Sequence, residues 1–123
     1  MSKILDSFYK VNNIVVTDNI ARANITINKD HIIFKSHFPG NPITPGVCMI
    51  QIIKEITEKI VKKKLFMKSV DNIKFIAIIN PFNTPELEFQ LDISETDEGY
   101  KVKNISKFDN TMALKSTTNY IVK

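Results

Sequence analysis

Sulfur is almost absent from the sequence as a cross-linking element: Cys48 is its single cysteine, so no disulfide can close within the chain. One thiol suits a reducing cytoplasm. Long apolar runs are also missing, and none approaches the roughly 20 residues of a membrane-spanning helix. The first ten residues carry no apolar block of the secretory kind, so a soluble cytoplasmic protein is expected. No Gly/Ser-rich stretch or charge block marks a linker, and neither an internal repeat nor a low-complexity segment appears. There is no phosphate-binding loop, dinucleotide fingerprint or nucleophile elbow. Nucleic acid is not an expected partner, because no basic stripe with interleaved aromatics is present. His31 has no cysteine or carboxylate at ligand spacing, so neither a metal nor a cofactor is expected.

What remains is 123 residues with 43% hydrophobic content, enough for one core and one domain spanning residues 1–123. A net charge of +4 favours acidic partners without choosing among them. Most of the apolar pattern has the period of strands. Residues 24–28 alternate, with Ile25 and Ile27 on one face. In residues 86–94, Leu87, Phe89, Leu91 and Ile93 face one way between polar neighbours. Turns are predicted at 97–99 and 109–110, and a last strand carries Met112, Leu114, Tyr120 and Val122 on one face. Residues 14–16, 31–34 and 73–79 are shorter strand candidates. The exception is 47–63, where Met49, Ile52, Ile53, Ile56 and Ile60 recur at helical spacing opposite Lys54, Glu55, Glu58 and Lys59. One long helix among six or seven strands predicts an α+β fold with an antiparallel sheet packed on that helix.

The segment best suited to chemistry runs from His37 to Val47 and leads into the helix. Three prolines and two glycines stand within ten residues there, which makes the backbone stiff. Thr44 followed by Pro45 reads as a helix N-cap and first helical residue. Gly46 would then offer an unpaired N–H at the positive end of the helix dipole, with no side chain to obstruct a ligand. Such a donor suits a carbonyl oxygen that turns negative during reaction. His37 is the plausible base in the loop, although a histidine beside prolines is ordinarily a loop residue.

The run His37-Phe38-Pro39-Gly40-Asn41-Pro42-Ile43-Thr44-Pro45-Gly46-Val47 resembles the H-F-P-G-x-P-x-x-P-G-V signature of the 3-hydroxyacyl-acyl-carrier-protein dehydratases. The resemblance implies a hotdog fold, in which a curved antiparallel sheet wraps a long helix and two protomers join to build shared sites. By the same resemblance His37 would take the proton next to the thioester, and the Gly46 N–H would hold the thioester oxygen. Phe38, Pro45 and Val47 would lie against the substrate. An acyl carrier protein or coenzyme A thioester is the implied partner, in fatty-acid or related lipid or polyene synthesis.

The sequence departs from the pattern at Gln51, where the family carries an acid that the partner subunit supplies. A glutamine amide orients a hydroxyl but does not deliver a proton. Glu55 lies one turn further on, where the family often has Gln, as though acid and amide had exchanged places. Glu55 then serves either as a substitute acid or as a solvated helix residue. Two other readings stay open on this basis: a non-catalytic carrier-binding subunit of the same fold, and an acyl thioesterase. Cys48 is read as a small packed side chain. Lys62-Lys63-Lys64 either balances the helix dipole or docks an acidic carrier protein.

Overall fold

The computed structural model describes residues 7–36 and 43–123. Strands β1 (Tyr9–Thr17) and β2 (Ile20–Ile27) are followed by a short helix α1 (Ile33–Ser36) and the main helix α2 (Gly46–Val61). Strands β3 (Leu65–Phe75), β4 (Glu86–Glu95), β5 (Gly99–Phe108) and β6 (Thr111–Val122) complete the order. All six strands join one antiparallel sheet in the order β1-β2-β4-β5-β6-β3. The sheet curves around α2 in the hotdog arrangement that the motif implied.

The alternation of residues 24–28 and 86–94 has a direct physical outcome. Ala21, Ala23, Ile25 and Ile27 on β2 are buried, as are Leu87, Phe89 and Leu91 on β4, while their neighbours point away from the core. Against this face α2 buries Met49, Ile52, Ile53 and Ile56 of the predicted stripe together with Cys48 and Thr57, while Ile60 is only partly buried. The helix ends at Lys62, whose left-handed backbone (φ 59°) directs its N–H to the Glu58 carbonyl at 2.8 Å. Both predicted turns join adjacent antiparallel strands, β4 to β5 and β5 to β6. At the first of them Gly99 comes so close to the Tyr120 carbonyl that a Cβ would collide with backbone.

Three local expectations are corrected. Residues 31–34 form no strand: the Phe34 N–H reaches the His31 carbonyl at 3.1 Å, and Ile33–Ser36 turn into α1. Phe34 is buried instead by stacking on Phe8, at 5.6 Å between ring centroids. The strand expected at 73–79 ends at Phe75, and residues 76–80 run on as irregular chain. Pro45 rather than Thr44 is the N-cap, with φ −63° and ψ 143°, so α2 starts at Gly46. The Thr44 hydroxyl caps nothing and is buried without a hydrogen-bond partner.

Candidate active site at the start of α2

The N-terminus of α2, with residues 43–45 before it, lies at the rim of an apolar cleft of about 330 Å³. One wall is Ile43, Thr44, Pro45, Gly46 and Met49. The other is the chain leaving β3 (Phe75, Ala77, Ile78 and Ile79) together with Ala113 and Leu114 of β6. The cleft stays apolar because β3 gives way to irregular chain here, so Phe75 and Ile78, both more than half exposed, stand at its edge. Its volume sits at the lower end of the range for small-molecule sites.

Gly46 is now the first residue of α2, and its N–H belongs to the turn that helix geometry leaves unpaired. The Pro45 carbonyl accepts from Met49 at 3.3 Å and so begins the helical ladder just beyond it. The Phe75 ring lies over Gly46: a Cβ there would stand 2.5 Å from Phe75 Cζ and 2.6 Å from Cε1. Glycine therefore leaves the helix dipole open to the cleft, with an aromatic ring as the opposite face.

Of the residues singled out from sequence, Pro45 and Gly46 line the cleft. Val47 is 56% exposed and lies outside its lining. His37 and Phe38 lie outside the described residues. Gln51 and Glu55 form a half-buried pair further along α2, where Gln51 Nε2 donates to Glu55 Oε2 at 3.0 Å. The other carboxylate oxygen of Glu55 accepts from the Tyr9 hydroxyl on β1 at 2.8 Å. Burial raises the Tyr9 pKa, and the adjacent Glu55 carboxylate raises it further, so the phenol is held as a hydrogen-bond donor. Within one protomer this triad does not line the Gly46 cleft.

Sequence reasoning missed Tyr9 and the place of Phe75 over Gly46, and it read Thr44 as a cap where the structure has it lining the cleft. Tyr9 meets Glu55 across 46 positions of chain, and no local pattern signals such a contact. Cys48 is buried with its thiol pKa pushed up by that burial, which makes it a packed side chain rather than a reactive one. Among the described residues no group of His, Cys, Asp and Glu is arranged to hold a metal, and no helix is long and apolar enough to cross a membrane.

Comparison with known proteins agrees with this architecture. FabZ, the 3-hydroxyacyl-[acyl-carrier-protein] dehydratase of Lactobacillus helveticus (strain DPC 4571), is 29% identical over 110 residues, covering 84% of this chain and 72% of the relative. The FabZ of Rickettsia bellii (strain OSU 85-389) is 27% identical over 108 residues, covering 81% and 72%. Among solved structures, the dehydratase heterocomplex ApeI:P from Xenorhabdus doucetiae aligns with TM-score 0.69 at 16% identity, covering 91% of this chain and 96% of that one. A hypothetical thioesterase with coenzyme A from Streptococcus pneumoniae TIGR4 aligns with TM-score 0.68 at 9% identity, covering 100% and 96%. At such identities the two structures speak for the fold alone. The sequence match is more specific, because residues 13–115 match the ApeI-like family, described as ApeI dehydratase. A helix N-terminus opening on an apolar cleft, a hotdog sheet and a match over most of the chain lead to one assignment: this protein belongs to the ApeI-like dehydratase family.

Proposed function

We propose that this chain, as a single hotdog domain over residues 1–123, dehydrates 3-hydroxyacyl thioesters on an acyl carrier protein to 2-enoyl thioesters. The reaction belongs to fatty-acid or related lipid or polyene synthesis. The observation that carries the reading is the apolar cleft lined by Gly46, the first residue of α2, whose N–H belongs to the turn that helix geometry leaves unpaired. A thioester carbonyl seated there places its oxygen at the positive end of α2, where the charge that develops on enolisation is stabilised without reorganisation. His37, nine positions before Gly46 in the sequence, removes the proton on the carbon next to the thioester. Pro45 shapes the wall beside Gly46, and Phe38 and Val47 bear on the substrate or its carrier arm.

The Gln51–Glu55–Tyr9 triad is the natural candidate for the leaving hydroxyl. Gln51 orients that hydroxyl, and Glu55 acts as the acid in place of the residue the motif has one turn earlier. This division of labour needs a second copy, since the triad and the cleft are separate within one protomer. Support for a homodimer comes from β3, an edge strand on which Phe66, Val70, Ile73 and Phe75 are all exposed. Pairing two such edges would cover this apolar surface and bring one protomer's triad toward its partner's cleft. A lone free cysteine suits residence in the cytoplasm.

A second reading is a carrier-binding subunit that needs a different chain for activity. Gln51, which cannot donate a proton, favours it, and one structural neighbour is itself a dehydratase heterocomplex. The deciding experiment incubates the protein with 3-hydroxyacyl and enoyl carrier-protein thioesters and follows gain or loss of water by mass spectrometry. His37→Ala should abolish conversion while leaving the melting temperature within a few degrees. Retained conversion removes His37 from the mechanism, and an inert native protein favours the subunit reading.

A further inference from the structure

One polar side chain in the wall of the Gly46 cleft has no task within the fold. Thr44 lines the cleft yet is only 6% exposed, and among the described residues its hydroxyl has no hydrogen-bond partner. Its backbone is engaged: the Thr44 N–H donates to the Ile79 carbonyl at 2.9 Å, which ties the helix-side wall of the cleft to the opposite wall. Thr44 also stands just before the N-cap Pro45, where an apolar side chain ordinarily packs on the fourth helical residue, here Met49. A valine would fill that place with nearly the same shape and without the cost of a buried, unpaired hydroxyl.

The position of the hydroxyl beside the helix N-terminus gives it a use. A threonine hydroxyl is within reach of the backbone N–H two positions on, and for Thr44 that N–H belongs to Gly46. No bond joins the two, so both donors are left for a third atom. Rotation about χ1 exchanges the hydroxyl with the methyl while the backbone stays fixed, so the donor turns toward the cleft that its side chain lines. We propose that the Thr44 hydroxyl is a second donor to the thioester carbonyl oxygen, converging on it with the Gly46 N–H. The inference rests on the thioester reading above and adds a residue to it. This hydroxyl is already out of water, so a ligand oxygen supplies its missing partner with no hydration to displace. The bond strengthens as negative charge develops on that oxygen.

Butyryl-pantetheine and its thioether counterpart, S-butyl-pantetheine, differ only at the carbonyl, and neither has a 3-hydroxyl to lose. Calorimetric binding of both to the native protein, to Thr44→Val and to Thr44→Ser therefore tests the contact without turnover. The native protein should prefer the thioester. Thr44→Val should bind the thioester about tenfold more weakly with thioether binding unchanged, while Thr44→Ser keeps the native pattern. Thr44→Val should also melt at or above the native temperature, because it removes an unpaired hydroxyl. Equal binding of the two probes to the native protein overturns the proposal whether or not a variant folds, and so does failure of both to bind. A valine variant that keeps the native preference overturns it, since the hydroxyl is then idle. One that melts well below the native protein does so too, since the hydroxyl is then satisfied inside the fold. A serine variant that behaves like the valine one assigns the effect to packing and likewise overturns it. Turnover of 3-hydroxybutyryl-pantetheine is measured alongside. The expected binding pattern without turnover supports the inference while removing the dehydratase reading.

Discussion

Gln51→Glu is the most informative substitution, because its effect on stability and its effect on rate share one cause. In the native protein the Gln51 amide donates to Glu55 Oε2 at 3.0 Å, and Tyr9 holds the other oxygen. A carboxylate at position 51 would face that of Glu55 at nearly the same separation. Two charges about 4 Å apart at an effective dielectric of about 20 repel by roughly 4 kcal/mol, equivalent to about 3 pKa units. Side-chain rotation and solvent reduce this, but like-charge repulsion still leaves one carboxyl of the pair protonated closer to neutrality than an isolated carboxyl. A raised carboxyl favours folding while protonated, so the variant should lose stability as pH climbs past the ordinary carboxylate range. The same retained proton places a general acid at the position where the motif has one, and water loss from a 3-hydroxyacyl thioester should rise about tenfold or more. The double variant Gln51→Glu/Glu55→Gln separates the two effects. An amide at position 55 can donate to the carboxylate at 51 and accept from Tyr9, so native stability should return to within about 1 kcal/mol. Enoyl formation measured from about pH 5 to about pH 9, with a melting temperature at each pH, reads both quantities. A single variant as stable as the native protein at every pH would refute the close pairing. An unchanged rate in both variants, over a robust native rate, would show that position 51 does not limit the chemistry.

Two further outcomes follow from contacts described above. Gly46→Ala puts a methyl into the Phe75 ring, which is 60% exposed and free to swing, so the melting temperature should hold while thioester turnover falls at least about tenfold as the cleft narrows; undiminished turnover would remove Gly46 from the site. Burial pushes the Tyr120 hydroxyl up to about 12 from its ordinary 10.0, with nearby Glu58 adding to the rise and Thr118 opposing it. The neutral phenol is thus favoured in the folded state, and its contribution is complete below pH 10.0 and lost as pH climbs toward 12. Denaturant melts at pH 8 and pH 11.5 should show roughly 2 kcal/mol less alkaline loss in Tyr120→Phe than in the native protein, and parallel losses would refute the assignment.

The parts of the fold legible in the sequence are those where one face is uniformly apolar. The stripe of α2 and the alternation of β2 and β4 follow from burial on one side alone. Strand β3 was largely invisible for a physical reason. It is an edge with two breaks in its ladder to β6, one of them around Asn72 (φ 51°), and the alternation of its first six residues is lost from Asp71 onward, where every side chain is exposed. The apolar run at 31–34 has a strand's composition but no neighbouring strand, and Phe8 buries Phe34 instead. On β6 the apolar residues were readable as one face, but the hydroxyls between Leu114 and Tyr120 gave no sign of pointing inward with them. At the site, the motif located the loop and the helix start. The Phe75 ring over Gly46 and the Tyr9 hydroxyl on Glu55 come from remote strands, and only the closed sheet brings them there.

The tight approach at Gly99 reaches further than the turn it occupies. Gly99 sits opposite Ile121 with no space for a side chain against the Tyr120 carbonyl, so neither Glu98 nor Tyr100 can take its place. The β5–β6 ladder is thereby pinned at one end, and a slip by one position is forbidden by collision rather than merely disfavoured. Such a slip would turn every inward side chain of the moving strand outward. Seventeen positions along the chain from Gly99, Ser116 owes its inward orientation to this anchor. A residue with no side chain thus acts as the gauge that aligns the inward face of β6 with the helix above it.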